Sequence, residues 1–130
     1  MAKVLIIDDD KVVRELARRM LEPQNHTIFE ACDGVEGIQV FQDEAPDVVI
    51  TDILMPNADG LEVIREIMRL DPDAKIIAIS GVGRAPEQAY LKHAQTFGAT
   101  ATLPKPFAPD QLLAVLDEIL STPMPDVASA

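Results

Sequence analysis

Five short apolar runs, KVLII (3–7), HTIFEA (26–31), DVVIT (47–51), KIIAIS (75–80) and ATATL (99–103), recur along a chain of 130 residues. Each has the length of a strand and is mostly β-branched or apolar rather than alternating, which is the pattern of strands covered on both faces. Strands of that kind belong to a parallel sheet, because crossover connections place helices on either side of it. The second and fifth runs are the weaker ones and read as edge strands.

Amphipathic stretches separate the runs. Val13, Leu16, Ala17, Met20 and Leu21 share one helix face by spacing. Val35, Ile38 and Phe41 form a shorter stripe, and Leu61, Ile64, Ile67 and Met68 form a third, extended by Leu70. Residues 86–97 are a less regular helical pattern, with Pro86 in the first turn and Gly98 as the stop. A last stripe, Leu112, Leu113, Leu116, Ile119 and Leu120, follows Pro109. Five strand–helix units predict an α/β fold: a five-stranded parallel sheet with right-handed crossovers and helices on both faces. The domain is expected over residues 1–121. Residues 122–130, STPMPDVASA without its first residue, have no apolar stripe and are expected to be a flexible tail or linker stub.

The net charge of −11 argues against nucleic acid or an anionic membrane as a direct partner, since both are polyanions. Cations, metal ions and basic protein surfaces remain. The single cysteine, Cys32, has no internal disulfide partner, which suits a reducing compartment, and it reads as a small buried hydrophobe. No stretch approaches the roughly 20 apolar residues of a membrane span, so a soluble, cytoplasmic chain is expected. His26 and His93 are isolated and read as solvated or edge positions, and Gly34, Gly37 and Gly60 as turn residues.

Ligands of doubly wound sheets bind at the carboxyl ends of the strands, so the polar residues there carry the chemistry. The first strand runs into Asp8-Asp9-Asp10, the third into Asp52 and the fourth ends in Ser80; LPKPF, with Lys105, follows the fifth. Asp10 is placed to cap the first helix. Asp8, Asp9 and Asp52 at one rim would repel one another unless neutralised, and an all-oxygen set with room for water suits Mg²⁺. Lys105 offers a point charge and Ser80 a hydroxyl to phosphoryl oxygens. A carboxylate beside a metal, a lysine and a hydroxyl is an arrangement for phosphoryl transfer with the carboxylate as nucleophile.

IIDDD, DILMPNADGLE, Ser80-Gly81 and LPKPF, in that order and spacing, resemble the receiver domain of two-component response regulators, the CheY-like family, over residues 3–121. The resemblance implies a flavodoxin-like sheet of strand order 2-1-3-4-5. By position, Asp52 resembles the phosphoacceptor, Asp8 and Asp9 the metal-binding acidic pair, and Leu54 the residue lending the metal its backbone carbonyl. Ser80 and Lys105 resemble the hydroxyl and lysine that hold the phosphoryl group, and the Lys105–Pro106 bond is implied to be cis. The implied donor is a phosphohistidine on a histidine kinase or histidine phosphotransfer protein. The implied output is a change in the surface made by the helix over 86–97, the fifth strand and the last helix, read by a downstream protein target. Two other readings compete. An unphosphorylated receiver-like interaction module is opposed by the complete residue set. An aspartate-nucleophile phosphatase would need a second Asp two residues after the nucleophile, where Leu54 stands. No helix-turn-helix follows residue 121, so no direct nucleic-acid binding by this chain is expected.

Two positions depart from the family pattern. Thr102 replaces the usual aromatic residue three before the lysine, which leaves the loop over 80–86 and the helix over 86–97 to carry the readout. Leu54 and Val82, each two residues past a site residue, are apolar and give a hydrolytic water nothing to hydrogen-bond. Slow autodephosphorylation is therefore expected. Loading with a small acyl-phosphate donor and following the decay checks it, and a half-life of a few seconds would rule it out.

Overall fold

The structure, a computed structural model, describes residues 2–53, 60–80, 98–104 and 108–121. Along the chain run β1 (Lys3–Ile7), α1 (Lys11–Leu21), a 3-10 turn (Glu22–Gln24), β2 (Thr27–Ala31), α2 (Gly34–Glu44), β3 (Val48–Asp52), α3 (Gly60–Leu70), β4 (Lys75–Ser80), β5 (Ala101–Pro104) and a C-terminal helix, Pro109–Ser121. The five strands are all parallel, in the order β2-β1-β3-β4-β5, so the two weaker runs are indeed the edges. The helix expected over 86–97 and the tail over 122–130 lie outside the described residues.

Side-chain alternation sorts the strands into two cores. Val4, Ile6, Val48, Ile50, Ile77 and Ile79 pack on one face with Ala17 and Leu21 of α1 and Leu112, Leu116 and Ile119 of the C-terminal helix. Leu5, Ile7, Val49, Ile76 and Ala78 pack on the other with Phe41 of α2 and Val63, Ile64 and Ile67 of α3. Period two therefore puts odd and even residues of one strand under different helices. β3 is buried along its whole length, as a central parallel strand must be.

Helix starts follow the capping signals. Asp10 is the N-cap of α1, its carboxylate accepting from the Val12 N–H. Asp33 caps α2 by accepting from Glu36 N–H, and the Glu36 carboxylate reaches back to accept from Cys32 N–H at 2.8 Å. That reciprocal pair satisfies one orphan N–H of the helix, that of Glu36, and the N–H of the residue just before the cap. It also explains why Cys32 is exposed rather than buried: β2 ends at Ala31, and Cys32 falls in the capping turn beyond it.

The face of α1 differs from the expected stripe. Ala17 and Leu21 are its buried residues, whereas Leu16 is 49% exposed. At about 100° per residue, Leu16 lies about 100° around the helix from Ala17, past the margin of the buried stripe. His26 is half-buried; its Nδ1 accepts from the Ala2 N–H at 3.1 Å, and burial pushes its pKa below the ordinary 6.5. At the far end of the sheet, Lys75 Nζ donates to the Ile119 carbonyl at 3.1 Å, fastening the end of the C-terminal helix to the start of β4.

Two glycines are set by space or backbone. Gly37 lies within α2, not in a turn, and a Cβ there would run into Ile7, with Cγ1 at only 2.8 Å; its absence lets α2 lie against β1. Gly98 has φ +123°, and a Cβ would meet Met68 Cγ at 2.6 Å. Gly98→Ala is expected to destabilise the fold by about 1–3 kcal/mol, combining a left-handed backbone with overpacking. Denaturant unfolding checks it.

Candidate functional site

The register of β1 on β3 builds the site. Val4 pairs with Val48, Leu5 with Val49, Ile6 with Ile50 and Ile7 with Thr51. One step further sets Asp8 opposite Asp52. Both continue the even-numbered side of their strands, and adjacent strands lie about 4.8 Å apart, so the two carboxylates emerge side by side. Asp8 is 1% and Asp52 6% exposed, while Asp9, next along, is exposed. One carboxylate oxygen from each of Asp8, Asp9 and Asp52 lies within 4.8 Å of the other two.

The backbone around this pocket is tied down on several sides. Asp8 N–H donates to the Ala31 carbonyl at 3.1 Å, Asp10 N–H donates to Asp8 Oδ1 at 2.9 Å, and Arg14 Nη1 donates to the Asp8 carbonyl at 2.6 Å. On the β3 side, the Thr51 hydroxyl donates to the Asp52 carbonyl at 3.0 Å and Ile53 N–H to the Ile79 carbonyl at 2.9 Å. Asp52 itself is opposite Ile79 in the β3–β4 ladder.

The donor set fits a hard divalent cation. All three groups are oxygen donors, and the cluster found among the described residues includes no nitrogen or sulfur ligand to recruit a softer metal. Oxygens on one Mg²⁺ sit about 3 Å apart when adjacent and about 4.2 Å when opposite, from bond lengths near 2.1 Å. A spread within 4.8 Å needs only a small closure to meet that. Two buried carboxylates at such a separation repel by roughly 3–4 kcal/mol at an effective dielectric of about 20, a charge that a bound cation offsets.

Of the expected site residues, the structure brings together Asp8, Asp9 and Asp52. Ser80 is the last residue of β4, the strand hydrogen-bonded to β3, and pairs with Pro104 of β5. Lys105 and Leu54 lie outside the described residues, as does the Lys105–Pro106 bond. The contribution of Arg14 was not legible as a site feature. Its only signal is its spacing of four from Arg18 on one face of α1.

Comparison with known proteins agrees with this geometry. Residues 4–117 match the family model of the response regulator receiver domain. Response regulator MprA of Mycobacterium sp. (strain KMS) is 36% identical over 124 residues, which cover 95% of this chain and 53% of the relative. The chain thus spans about half the length of the mycobacterial relatives it matches. A response regulator receiver domain protein from Clostridium thermocellum superposes with a TM-score of 0.85 at 29% identity, covering 92% of this chain and 94% of that one. Chemotaxis protein CheY4 of Vibrio cholerae superposes with a TM-score of 0.82 at 30% identity, covering 92% and 98%. Among the described residues no helix is long and apolar enough to cross a membrane.

The crowding of charge is testable without any partner. In a chelator, Asp52→Asn is expected to be more stable than the wild type by about 1–3 kcal/mol, because it removes one of the repelling charges. Millimolar Mg²⁺ is expected to raise the wild-type unfolding midpoint by mass action and to leave that of Asp52→Asn little changed. Thermal unfolding with and without the cation checks both.

Proposed function

The chain belongs to the response regulator receiver domain family, and we propose that its work is to accept a phosphoryl group on Asp52 from a phosphohistidine of a histidine kinase or phosphotransfer protein. The observation that carries this reading is the position of Asp52: the last residue of a wholly buried strand, within one ion's reach of Asp8 and Asp9. A carboxylate held there by β3 is aimed at the rim and cannot swing away.

In the proposed step an Asp52 carboxylate oxygen attacks the phosphorus in line. The O–P bond forms as the P–N bond to the donor imidazole breaks, and the electron pair returns to that nitrogen. The product is an acyl phosphate on Asp52. Asp8, Asp9 and Asp52 would hold Mg²⁺, with the Leu54 carbonyl as a further ligand implied by the family resemblance. Bound there, Mg²⁺ supplies positive charge to the attacking and phosphoryl oxygens. Lys105 pairs a phosphoryl oxygen and the Ser80 hydroxyl donates to another. Support for their roles comes from sequence position: Ser80 ends the strand beside β3, and Lys105 directly follows Pro104, the last residue of β5.

The acyl phosphate carries about −2 charge where the carboxylate carried −1, and it presents three further acceptor oxygens. Drawing Ser80 and Lys105 toward it shifts the population of the segment over 80–86 and of the helix expected over 86–97, and so of the surface shared with β5 and the C-terminal helix. A downstream protein reads that surface. Thr102, half-buried in β5, offers no ring to report the change.

Intact mass after incubation with Mg²⁺ and acetyl phosphate tests the chemistry. The wild type is expected to gain one phosphoryl group, and Asp52→Asn none. A chelator in place of Mg²⁺ is expected to cut the wild-type rate by at least about a hundredfold, a loss of roughly 3 kcal/mol of transition-state stabilisation. A wild-type chain of unchanged mass would point instead to an interaction module that is never phosphorylated.

A further inference from the structure

One guanidinium links the acidic pocket to the edge of the sheet. Arg14 stands in the second turn of α1, its side chain only 15% exposed, and Nη1 donates to the Asp8 carbonyl at 2.6 Å. The same guanidinium donates through Nε to Glu30 Oε1 of β2 at 3.1 Å, and the other Glu30 oxygen accepts from Arg18 Nε at 2.7 Å. Arg18 in turn donates to Glu22 at 2.8 Å.

As a set of surface ion pairs this network would contribute little, since exposed pairs are worth about 0–1 kcal/mol each. Its placement says more. The Asp8 carbonyl belongs to the peptide that joins Asp8 to Asp9, so the direction of that oxygen fixes the plane from which the Asp9 side chain departs. Asp8 N–H is held by Ala31 and Asp8 Oδ1 accepts from the Asp10 N–H; the Arg14 contact is the anchor on the Asp8–Asp9 peptide itself. A charge-assisted bond to a planar fork sets direction as well as distance. Glu30 holds the fork at that angle from the neighbouring strand.

We propose that Arg14, braced by Glu30, is a positioning residue for the cation pocket: it orients the Asp8–Asp9 peptide so that both carboxylates converge with Asp52. This rests on the proposed function, in which those three acids hold a divalent cation. Arg14 does not touch the ion or the phosphoryl group. Its effect is on the affinity of the pocket for the cation, not on the attack by Asp52 once the cation is bound. Groups that orient metal ligands in this way change affinity by about 10–100-fold when removed.

The test uses the whole 130-residue chain with Arg14→Met, and Arg18→Met as the control, because Arg18 shares Glu30 but makes no hydrogen bond to Asp8. Mn²⁺ affinity is read by electron paramagnetic resonance of the free ion. Phosphorylation by acetyl phosphate is read by mass across a Mg²⁺ series. Arg14→Met is expected to bind Mn²⁺ about tenfold more weakly and to regain the wild-type phosphorylation rate at saturating Mg²⁺, with Arg18→Met within about twofold of wild type throughout. Should Arg14→Met fail to fold, Glu30→Gln, which keeps the shape and loses the charge, is judged by the same criterion. Unchanged Mn²⁺ affinity overturns the proposal, and so does equal weakening in the Arg14 and Arg18 variants. So does a rate deficit that saturating Mg²⁺ does not remove. A wild-type chain that binds no Mn²⁺ is a different result: it removes the cation pocket, and with it the function from which the proposal starts.

Discussion

Three carboxylates held within one ion's reach are an unfavourable thing to fold, and the arrangement of the sheet is what forces them together. β1 and β3 are adjacent, parallel and in a register that sets residue 8 beside residue 52. Neither acid can retreat without dragging a buried strand out of two cores. A single-residue slip between the strands would turn one of the two to the opposite face. The many apolar contacts along Val48–Ile50 and Val4–Ile7 therefore oppose the repulsion at their ends. The molecule keeps a charged rim by burying everything below it.

Much of that frame was readable from residue order. The apolar runs with their intervening stripes predicted the parallel sheet, and their relative polarity predicted which strands lie at its edges. Differences arose where a side chain stands in for backbone. β5 was expected from residue 99 but begins at Ala101, because the Thr100 hydroxyl accepts from Ile76 N–H and its own N–H donates to the Ile76 carbonyl, so Thr100 ties into β4 before the regular ladder starts. β3 was expected over 47–51 and runs over 48–52, since the Asp47 carboxylate accepts from Lys3 N–H and leaves the ladder to its successor.

Site legibility divides along the same line. Asp8, Asp9 and Asp52 could be read together because strand ends converge by topology, whatever the packing. Arg14 could not, because its importance lies in a contact to a main-chain oxygen, and one arginine in a helix looks like any other. Gly37 is similar. Within a stripe it reads as a break, and only the closeness of Ile7 gives the reason for a missing side chain. Periodicity identifies faces, whereas roles that depend on one tight approach need coordinates.

Under the proposed function, the bond from Lys75 to the carbonyl of Ile119 bears on how phosphorylation reaches the far pole of the molecule. Lys75 opens β4 and Ser80 closes it, so the final helix is anchored a full strand length, roughly 17–20 Å, from the acids. That distance is about twice the electrostatic screening length at physiological salt. Salt in the solvent therefore screens one pole from the other, whereas the buried path through β4 is screened much less. Under the proposed function, phosphorylation at the acids reaches the end of the C-terminal helix through the packed strand and core that lie between them.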